Sequence, residues 1–201
     1  LAVFGCLLGY RKISDEMQDR ELVKMVEKVG YQEGLPVVIH PGILNPEEFI
    51  GTVLKVRLPN PFMPDTPQRI ATDTSQKLAV RFGETIKAYQ ADENRKVDEL
   101  QLIPLVFAGW LRYLTAVDDA GNRFTLSPDP LLGTLCPQMA KLEPGSTEME
   151  TEAFLRPILE DAGIFGVNLY DAGMADKVCG YFTELNAGVG SVRSTLRKYL
   201  A

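Results

Sequence analysis

The sequence predicts a mainly α-helical protein. Convincing runs of alternating apolar and polar residues, the pattern of a half-buried strand, are missing from the 201 residues. Apolar residues instead recur at spacings of three and four, behind several sequences that are typical of helix starts. Apolar residues make up 45% of the chain and charged residues 24%, which is ordinary for a globular protein with a buried core. We therefore expect a mainly α fold.

The composition argues against several classes of function. The net charge is −6 and no block of Lys or Arg stands alone, so we do not expect a nucleic-acid partner. The most apolar segment, residues 100–117, is too short to span a bilayer and contains Arg112, so we expect no membrane association. The cysteines are odd in number, widely separated and without metal-ligand spacing, and they predict buried structural thiols in a reducing cytoplasm. They are Cys6, Cys136 and Cys179.

The first ten residues look like the middle of an apolar helix. They begin without Met and without a basic leader, and they are too short to span a bilayer. Gly5 and Gly9 lie four apart, where they would let a neighbouring backbone come close. We interpret residues 1–201 as one helical domain, a fragment of a longer protein that is cut inside a helix.

Three helix starts follow in the first half of the chain. Ser14, with acidic residues behind it, predicts a start, and apolar residues then keep helical spacing as far as residue 29. Asn45-Pro46-Glu47-Glu48 is a stronger start, and its helix should reach about residue 58. Asp65-Thr66-Pro67 opens a helix that we expect to continue to about Tyr89, with a local bend at Thr72–Ser75 because these residues are poor helix formers.

The second half predicts a central helix and four more behind it. Residues 100–117 contain the single Trp110 and should form a buried helix, with Pro104 near its first turns. Residues 118–122 have turn chemistry, and residues 143–147 predict a flexible surface loop. The further helical patterns cover residues 131–142, 151–162, 174–185 and 189–200.

Arg69, Asp73 and Lys77 form the candidate substrate-binding set. In a continuous helix they recur every four residues and share one stripe, with a carboxylate between two cations. Ile70, and further on Leu78, Phe82 and Ile86, would then face the core. Such a stripe suits a hydroxyl-rich or anionic small molecule. The alternative is an ordinary salt-bridge ladder on a solvated face, worth a few tenths of a kcal/mol per pair.

The sequence lacks the common short motifs of catalytic, nucleotide-binding and metal-binding sites. It has no GxGxxG, phosphate loop, HExxH, GxSxG or CxxC. The single histidine, His40, precedes Pro41-Gly42 and has no orienting partner nearby, so we interpret it as a loop residue with a local hydrogen bond. We assign no catalytic, cofactor-binding or metal-binding residue within the chain.

Three segments together resemble the C-terminal domain of the polyol-specific long-chain dehydrogenases, the family of mannitol 2-dehydrogenase and fructuronate reductase. The first is Asn60-Pro61-Phe62 followed by Arg69-Ile70-Ala71-Thr72-Asp73-Thr74-Ser75-Gln76-Lys77-Leu78, in which Thr74 replaces a glycine that many relatives have. The second runs from Ala108-Gly109-Trp110 to Asn122, and the third is Asp129-Pro130-Leu131-Leu132. The region around residues 109–113 looks closer to the fructuronate reductase branch.

The resemblance implies an NAD(P)-dependent oxidoreductase as the parent protein. Residues 1–10 resemble the helix that follows a Lys-x4-Asn-x2-His signature, whose Lys is the general base, and that signature would lie just before Leu1. An upstream Rossmann domain would bind NAD. Arg69 and Lys77 match substrate-contacting cations, and Asp73 would orient them. The fragment itself should bind its polyol or sugar acid weakly and catalyse nothing.

Two alternatives of another kind stay open. The chain could be a free-standing helical interaction module descended from such a domain, or its central and C-terminal helices could form an oligomer interface. The sugar, the choice between NAD and NADP, and the oligomeric state are not determined by the sequence.

Overall fold

The computed structural model describes residues 1–200, and they fold into helices packed around one central helix, which confirms the mainly α prediction. Within these residues the only β pairing is an isolated bridge between Val117 and Arg123. The helices of the first half are α1 (Ala2–Leu7), α2 (Ile13–Glu16), α3 (Arg20–Lys28), α4 (Pro46–Thr52), α5 (Pro67–Ala71), α6 (Thr74–Leu78) and α7 (Glu84–Ala91). Those of the second half are α8 (Leu102–Tyr113), α9 (Leu132–Met139), α10 (Glu148–Leu159), α11 (Ala162–Phe165), α12 (Ala175–Leu185) and α13 (Ser191–Leu200).

Helix α8 is the centre of the fold, as predicted. Nearly all of its side chains are buried, Trp110 at 1% exposure among them, and it packs against α12 on one side and α1 on another. Pro104 lies in the first turn, where a missing N–H breaks no helical hydrogen bond. The carboxylate of Glu33 accepts hydrogen bonds from the backbone N–H groups of residues 101, 102 and 103 at 2.7, 2.7 and 2.8 Å. The free donors of the helix start are therefore satisfied by a residue almost 70 positions away.

Two predicted helix starts are confirmed and one is wrong. Asn45 accepts hydrogen bonds from the N–H groups of residues 47 and 48, and Thr66 accepts one from Arg69 N–H. Ser14 caps nothing: it lies inside the short helix α2 and is buried. The cap of the following helix is Asp19, whose carboxylate accepts from the N–H groups of residues 21 and 22 at 3.0 and 3.1 Å.

The helix predicted from residue 67 to residue 89 is interrupted at the expected bend. Helix α5 ends at Ala71, Asp73 has a left-handed backbone with φ of 53°, and α6 begins anew at Thr74. A π-helical segment over residues 79–83 then joins α6 to α7. Leu78 and Ile86 are buried as predicted and Phe82 packs against the core, but Ile70 is 38% exposed. The placement of Ile70 in the core was therefore wrong, because the break changes which face of α5 meets the core.

The four helical patterns of the second half are present as α9, α10, α12 and α13. Helix α10 starts three residues early because Thr147 and Glu150 form a reciprocal capping box. Cys6 and Cys179 are buried free thiols as predicted, whereas Cys136 is half-buried. None of the helices within residues 1–200 is long and apolar enough to cross a bilayer.

Candidate functional site

The break between α5 and α6 is the centre of the candidate site. The N–H of Asp73 donates to the carbonyl of Pro128 at 2.9 Å, which holds the left-handed turn in place. Immediately after it, Asp129 accepts hydrogen bonds from Ser75 N–H at 2.8 Å and from Ser75 Oγ at 2.6 Å. A carboxylate at a helix start is favoured by the free N–H groups and by the helix dipole. The loop at residues 128–129 therefore fixes where α6 begins.

The same loop is tied to the central helix. The phenol oxygen of Tyr113, at the end of α8, accepts from Ser127 N–H at 2.7 Å and lies 3.1 Å from Ser127 Oγ. Burial raises the pKa of Tyr113, so its hydroxyl stays neutral and can donate to the Ser127 hydroxyl. The three segments that carry the family resemblance thus meet in space, although up to 54 residues separate the bonded partners.

Sequence reasoning did not find the structural roles of Ser75, Asp129, Tyr113 and Ser127. Asp before Pro is a turn signal, and the hydrogen bond from Leu131 N–H to Asp129 at 3.0 Å agrees with it. That signal describes only the local turn. The pairing with Ser75 depends on tertiary structure and has no sequence pattern that could have predicted it.

Lys77 reaches back across the break. Its ammonium group donates to the carbonyl oxygens of Ile70 at 2.9 Å and Thr72 at 2.5 Å, which are the free acceptors at the end of α5. An ammonium group has three N–H donors, so these two bonds leave one for a ligand. The backbone around the break therefore positions the Lys77 charge.

Lys77 lines a cavity of about 300 Å³ whose other wall is the beginning of α1. Most of the lining residues are apolar, including Ile70, Phe82 and Trp110, while Lys77, Arg81 and Thr74 are polar residues of the lining. A mostly apolar cavity with a few convergent polar groups is the usual form of a small-molecule site.

Arg69 lies on an exposed surface outside the cavity that Lys77 lines. Its side chain is 68% exposed and forms an ion pair with Asp65 one turn earlier, with Nε 2.8 Å from the carboxylate. The segment around Asp65 is itself anchored, because the Asp65 carbonyl accepts from Ile13 N–H at 3.1 Å. Arg69 is not part of the cavity lining around Lys77.

The prediction that Arg69, Asp73 and Lys77 are aligned along one face of a continuous helix is therefore wrong. Within residues 1–200 neither cation forms an ion pair with Asp73. The alternative prediction, a ladder of salt bridges among these three residues, is wrong for the same reason. A four-residue spacing aligns side chains only in an uninterrupted helix, and the left-handed Asp73 separates the turn of Arg69 from the turn of Lys77.

His40 is a loop residue, as predicted, with its Nδ1 accepting from Gly42 N–H at 3.1 Å on an exposed surface. Residues 1–200 contain no named strand, and their only β pairing is the isolated bridge between Val117 and Arg123.

Comparison with known proteins gives the site its context. Residues 1–184 match the family model described as the mannitol dehydrogenase C-terminal domain. A D-mannonate oxidoreductase of Thermotoga maritima is 52% identical over 198 residues, which are 98% of this chain and 36% of the relative. The chain thus spans little more than a third of that protein.

Two solved structures share the fold. A Pseudomonas fluorescens mannitol 2-dehydrogenase, in ternary complex with NAD and D-mannitol, matches with a TM-score of 0.81 and 22% identity, over 100% of this chain and 37% of that one. A substrate-free D-sorbitol dehydrogenase matches with a TM-score of 0.65 and 21% identity, over 96% of this chain and 37% of that one. Together with the match over residues 1–184, these findings show that the chain belongs to the mannitol dehydrogenase C-terminal domain family.

Proposed function

We propose that this chain is the helical substrate-side domain of a longer NAD(P)-dependent oxidoreductase that interconverts a polyol or sugar acid and its keto form. The observation that carries the proposal is the cavity lined both by Lys77 and by the first residues of α1, in a chain that belongs to a dehydrogenase domain family. In this proposal the catalytic signature and the NAD-binding domain lie on residues that precede Leu1.

Within this proposal we favour a sugar acid as the substrate class. The relative with 52% identity is named a D-mannonate oxidoreductase, and the sequence around residues 109–113 points to the same branch. A hexonate carries a carboxylate and several hydroxyl groups, so its orientation needs several donors at fixed positions. Lys77 offers a compact charge with one unused donor beside an apolar wall.

Arg69 and Asp73 have secondary parts in this proposal. The Arg69 guanidinium has donors beyond those that it directs at Asp65, and a planar fork can bind a carboxylate in a bidentate way. Its exposed position suits contact with a substrate held between this domain and another. Asp73 starts α6 and thereby sets the direction of Lys77, and its carboxylate is available to a substrate hydroxyl.

NAD would supply the hydride chemistry when bound to the neighbouring domain. The residues of this chain would bind and orient the sugar and keep water away from it. Lys77 holds one end of the substrate, and the apolar wall of Ile70, Phe82 and Trp110 excludes water.

The test is kinetic and uses the longer enzyme. Lys77→Ala and Arg69→Ala should lower kcat/KM for the keto sugar acid by at least about tenfold, because each removes a charged contact worth about 1.5–3 kcal/mol. Stopped-flow or steady-state NADH oxidation measures the effect, and circular dichroism checks folding. The matched controls are Lys87→Ala and Arg156→Ala, which remove exposed cations of surface pairs on α7 and α10. Unchanged kinetics in both site variants would contradict the assignment.

The second candidate is a non-catalytic interaction or oligomerisation module. It is favoured by apolar side chains that remain exposed, among them Ile39 at 91%, Ile43 at 89% and Phe62 at 92%. The residues encoded before Leu1 discriminate between the two candidates, because the enzyme requires a Lys-x4-Asn-x2-His signature there. Light scattering on the 201-residue chain then shows whether it self-associates.

A further inference from the structure

Arg112 is a buried cation without an anionic partner. Its exposed fraction is 5%, and it forms no ion pair within residues 1–200. Its Nε donates to the carbonyl of Leu185 at 3.1 Å, and its Nη1 donates to Thr115 Oγ1 at 2.6 Å and to the carbonyl of Val117 at 2.7 Å. All three acceptors are neutral. Buried charges in proteins are normally paired with an opposite charge, so this cation is unusual.

The two carboxylates whose charge acts on Arg112 are held by other groups. Burial lowers the pKa of the Arg112 guanidinium, and the charges of Asp119 and Asp118 oppose that shift. Asp118 accepts from two backbone N–H groups of its own turn at 2.7 and 3.0 Å, and Asp119 accepts from two at the start of α13 at 2.8 and 3.1 Å. Neither carboxylate bonds to the guanidinium within residues 1–200, so no contact neutralises its charge.

Two N–H donors of Arg112 are free. A guanidinium has five N–H groups, and the three bonds above use the one on Nε and the two on Nη1. Nη2 forms no hydrogen bond within residues 1–200, and it is not among the fully enclosed unpaired atoms of those residues. Its two N–H groups are therefore unpaired and still accessible to solvent.

Arg112 lines a cavity of about 260 Å³ at the ends of α8, α9 and α12. Arg123 lines the same cavity, because the bridge between Val117 and Arg123 folds the turn at residues 118–122 back on itself. The Arg123 side chain is exposed and forms no ion pair within residues 1–200. No residue lines both this cavity and the one around Lys77, so the two are separate.

The polar lining of the cavity is more cationic than anionic. Glu143 is its one acidic residue, against the two arginines, and it pairs with neither of them within residues 1–200. The backbone carbonyl of Glu143 accepts from Asn186 Nδ2 at 3.3 Å, which ties the loop after α9 to the end of α12. The lining therefore favours a negatively charged occupant.

We propose that this cavity binds a small oxyanion between the free Nη2 donors of Arg112 and the guanidinium of Arg123. A planar guanidinium fork matches two oxygens of a carboxylate or a phosphate. The cavity lies below the roughly 300 Å³ of common small-molecule sites, so the ligand is a phosphate or a short-chain carboxylate. The site is distinct from the proposed substrate site, and it does not depend on the proposed function.

The first test is isothermal titration calorimetry of the 201-residue chain with inorganic phosphate and with malonate, at constant ionic strength set with chloride. Lys77→Ala serves as the background, because it removes the cation of the other cavity. At least one probe should bind saturably to it at one site per chain, and the probe that binds shows whether the ligand is a phosphate or a carboxylate. Absence of saturable binding by both would overturn the proposal.

Two substitutions of exposed arginines form a matched pair in the same background. Arg123→Gln should weaken binding at least about tenfold, because it removes a charged contact to the ligand. Arg57→Gln, on another surface, should leave the affinity unchanged. Equal affinities of the two variants would show that binding is a general effect of salt and would contradict the site.

Glu143→Gln separates an anion site from a purely structural role of Arg112. If Arg112 only ties the end of α8 to the end of α12, a change at Glu143 has no effect on anion affinity. In the proposed site it should tighten binding at least about twofold, because it removes a like charge from the lining. Unchanged or weaker binding would contradict the proposal.

NMR spectroscopy of backbone amides locates the bound ion. Titration with the probe that binds should shift the amides of residues 115–117, 123 and 139–143, which carry or adjoin the lining. The amides beside position 77 should stay unchanged. Shifts confined to the neighbourhood of position 77 would place the ion in the other cavity and overturn the proposal.

Discussion

At the scale of single residues, carboxylates join segments that are far apart in the chain. Glu33 caps α8, Asp129 caps α6, and Asp119 accepts from the N–H groups of residues 192 and 193 at the start of α13. In each case the acceptor comes from another part of the fold, so the bond that completes the helix also fixes its place in the molecule.

Asp129→Ala should destabilise the domain by about 2 kcal/mol, since it removes a helix cap and a charged acceptor of three hydrogen bonds. Urea denaturation measures the loss. Asp171→Ala, at an exposed carboxylate, is the control and should change stability by less than about 0.5 kcal/mol. Equal effects of the two substitutions would show that Asp129 does not hold the site together.

Asp19 should make stability sensitive to acid. Burial by itself would raise its pKa, but hydrogen bonds from Arg193 and Tyr10 lower it from 3.8 to about 2. A carboxyl group whose pKa is lower in the folded state contributes stability above its unfolded pKa, and that contribution is lost as pH falls through 3.8 towards 2. The loss should be on the order of 2 kcal/mol.

Urea midpoints between pH 6 and pH 2 test this prediction against Asp19→Asn. The difference in stability between the wild type and the variant should shrink as the pH falls, because the variant lacks the titrating group. A difference that stays constant over this range would rule out the low pKa.

At the scale of elements, interruption of helices decides which side chains reach the site. The left-handed Asp73 ends α5, and the π-helical segment at residues 79–83 shifts α7 relative to α6. That segment packs closely on α11: a Cβ at Gly83 would lie 2.4 Å from the carbonyl oxygen of Phe165 and 2.9 Å from Gly166 Cα. Both obstacles are backbone atoms, so they cannot move aside as a flexible side chain could.

Gly83→Ala and Gly133→Ala should therefore change stability in opposite directions. Gly83→Ala should cost about 2 kcal/mol through overpacking. Gly133 lies exposed in α9 with nothing within 4 Å of its Cβ position, so its replacement by the better helix former should stabilise by up to about 1 kcal/mol. Thermal denaturation of the two variants gives the signs, and a stabilised Gly83→Ala would contradict the close packing.

At the scale of the whole molecule, the chain is a helical domain with a cavity beside its first helix. The cavity is lined by Lys77 and by an apolar wall, and residues 1–200 contain no named strand. This organisation agrees with relatives of which the chain covers little more than a third. In the proposed function, binding of the sugar and hydride chemistry belong to different domains.

The 201-residue chain alone should therefore fold and show no turnover. With NADH and a keto sugar acid, its rate of NADH oxidation should equal that of the buffer, whereas the longer enzyme should be active. Absorbance of NADH measures the rate, and circular dichroism confirms that the chain is helical. Turnover by the purified 201-residue chain would show that the proposed division of labour is wrong.

The mainly α fold, the central buried helix and the caps at Asn45 and Thr66 could be predicted from the sequence, because they depend on local spacing and on side chains that bond within three residues. The family resemblance could also be recognised, since it depends on the order of short motifs.

The arrangement of the site could not be predicted in the same way. The sequence placed Arg69 and Lys77 on one stripe, whereas a hydrogen bond from Asp73 to Pro128 and a cap from Asp129 divide that helix in two. The unpaired Glu16 against Gly5 is likewise visible only when α1 and α2 are packed together. Local residue spacing determined where the helices form. Contacts between residues distant in the chain decided which of their side chains line the cavity.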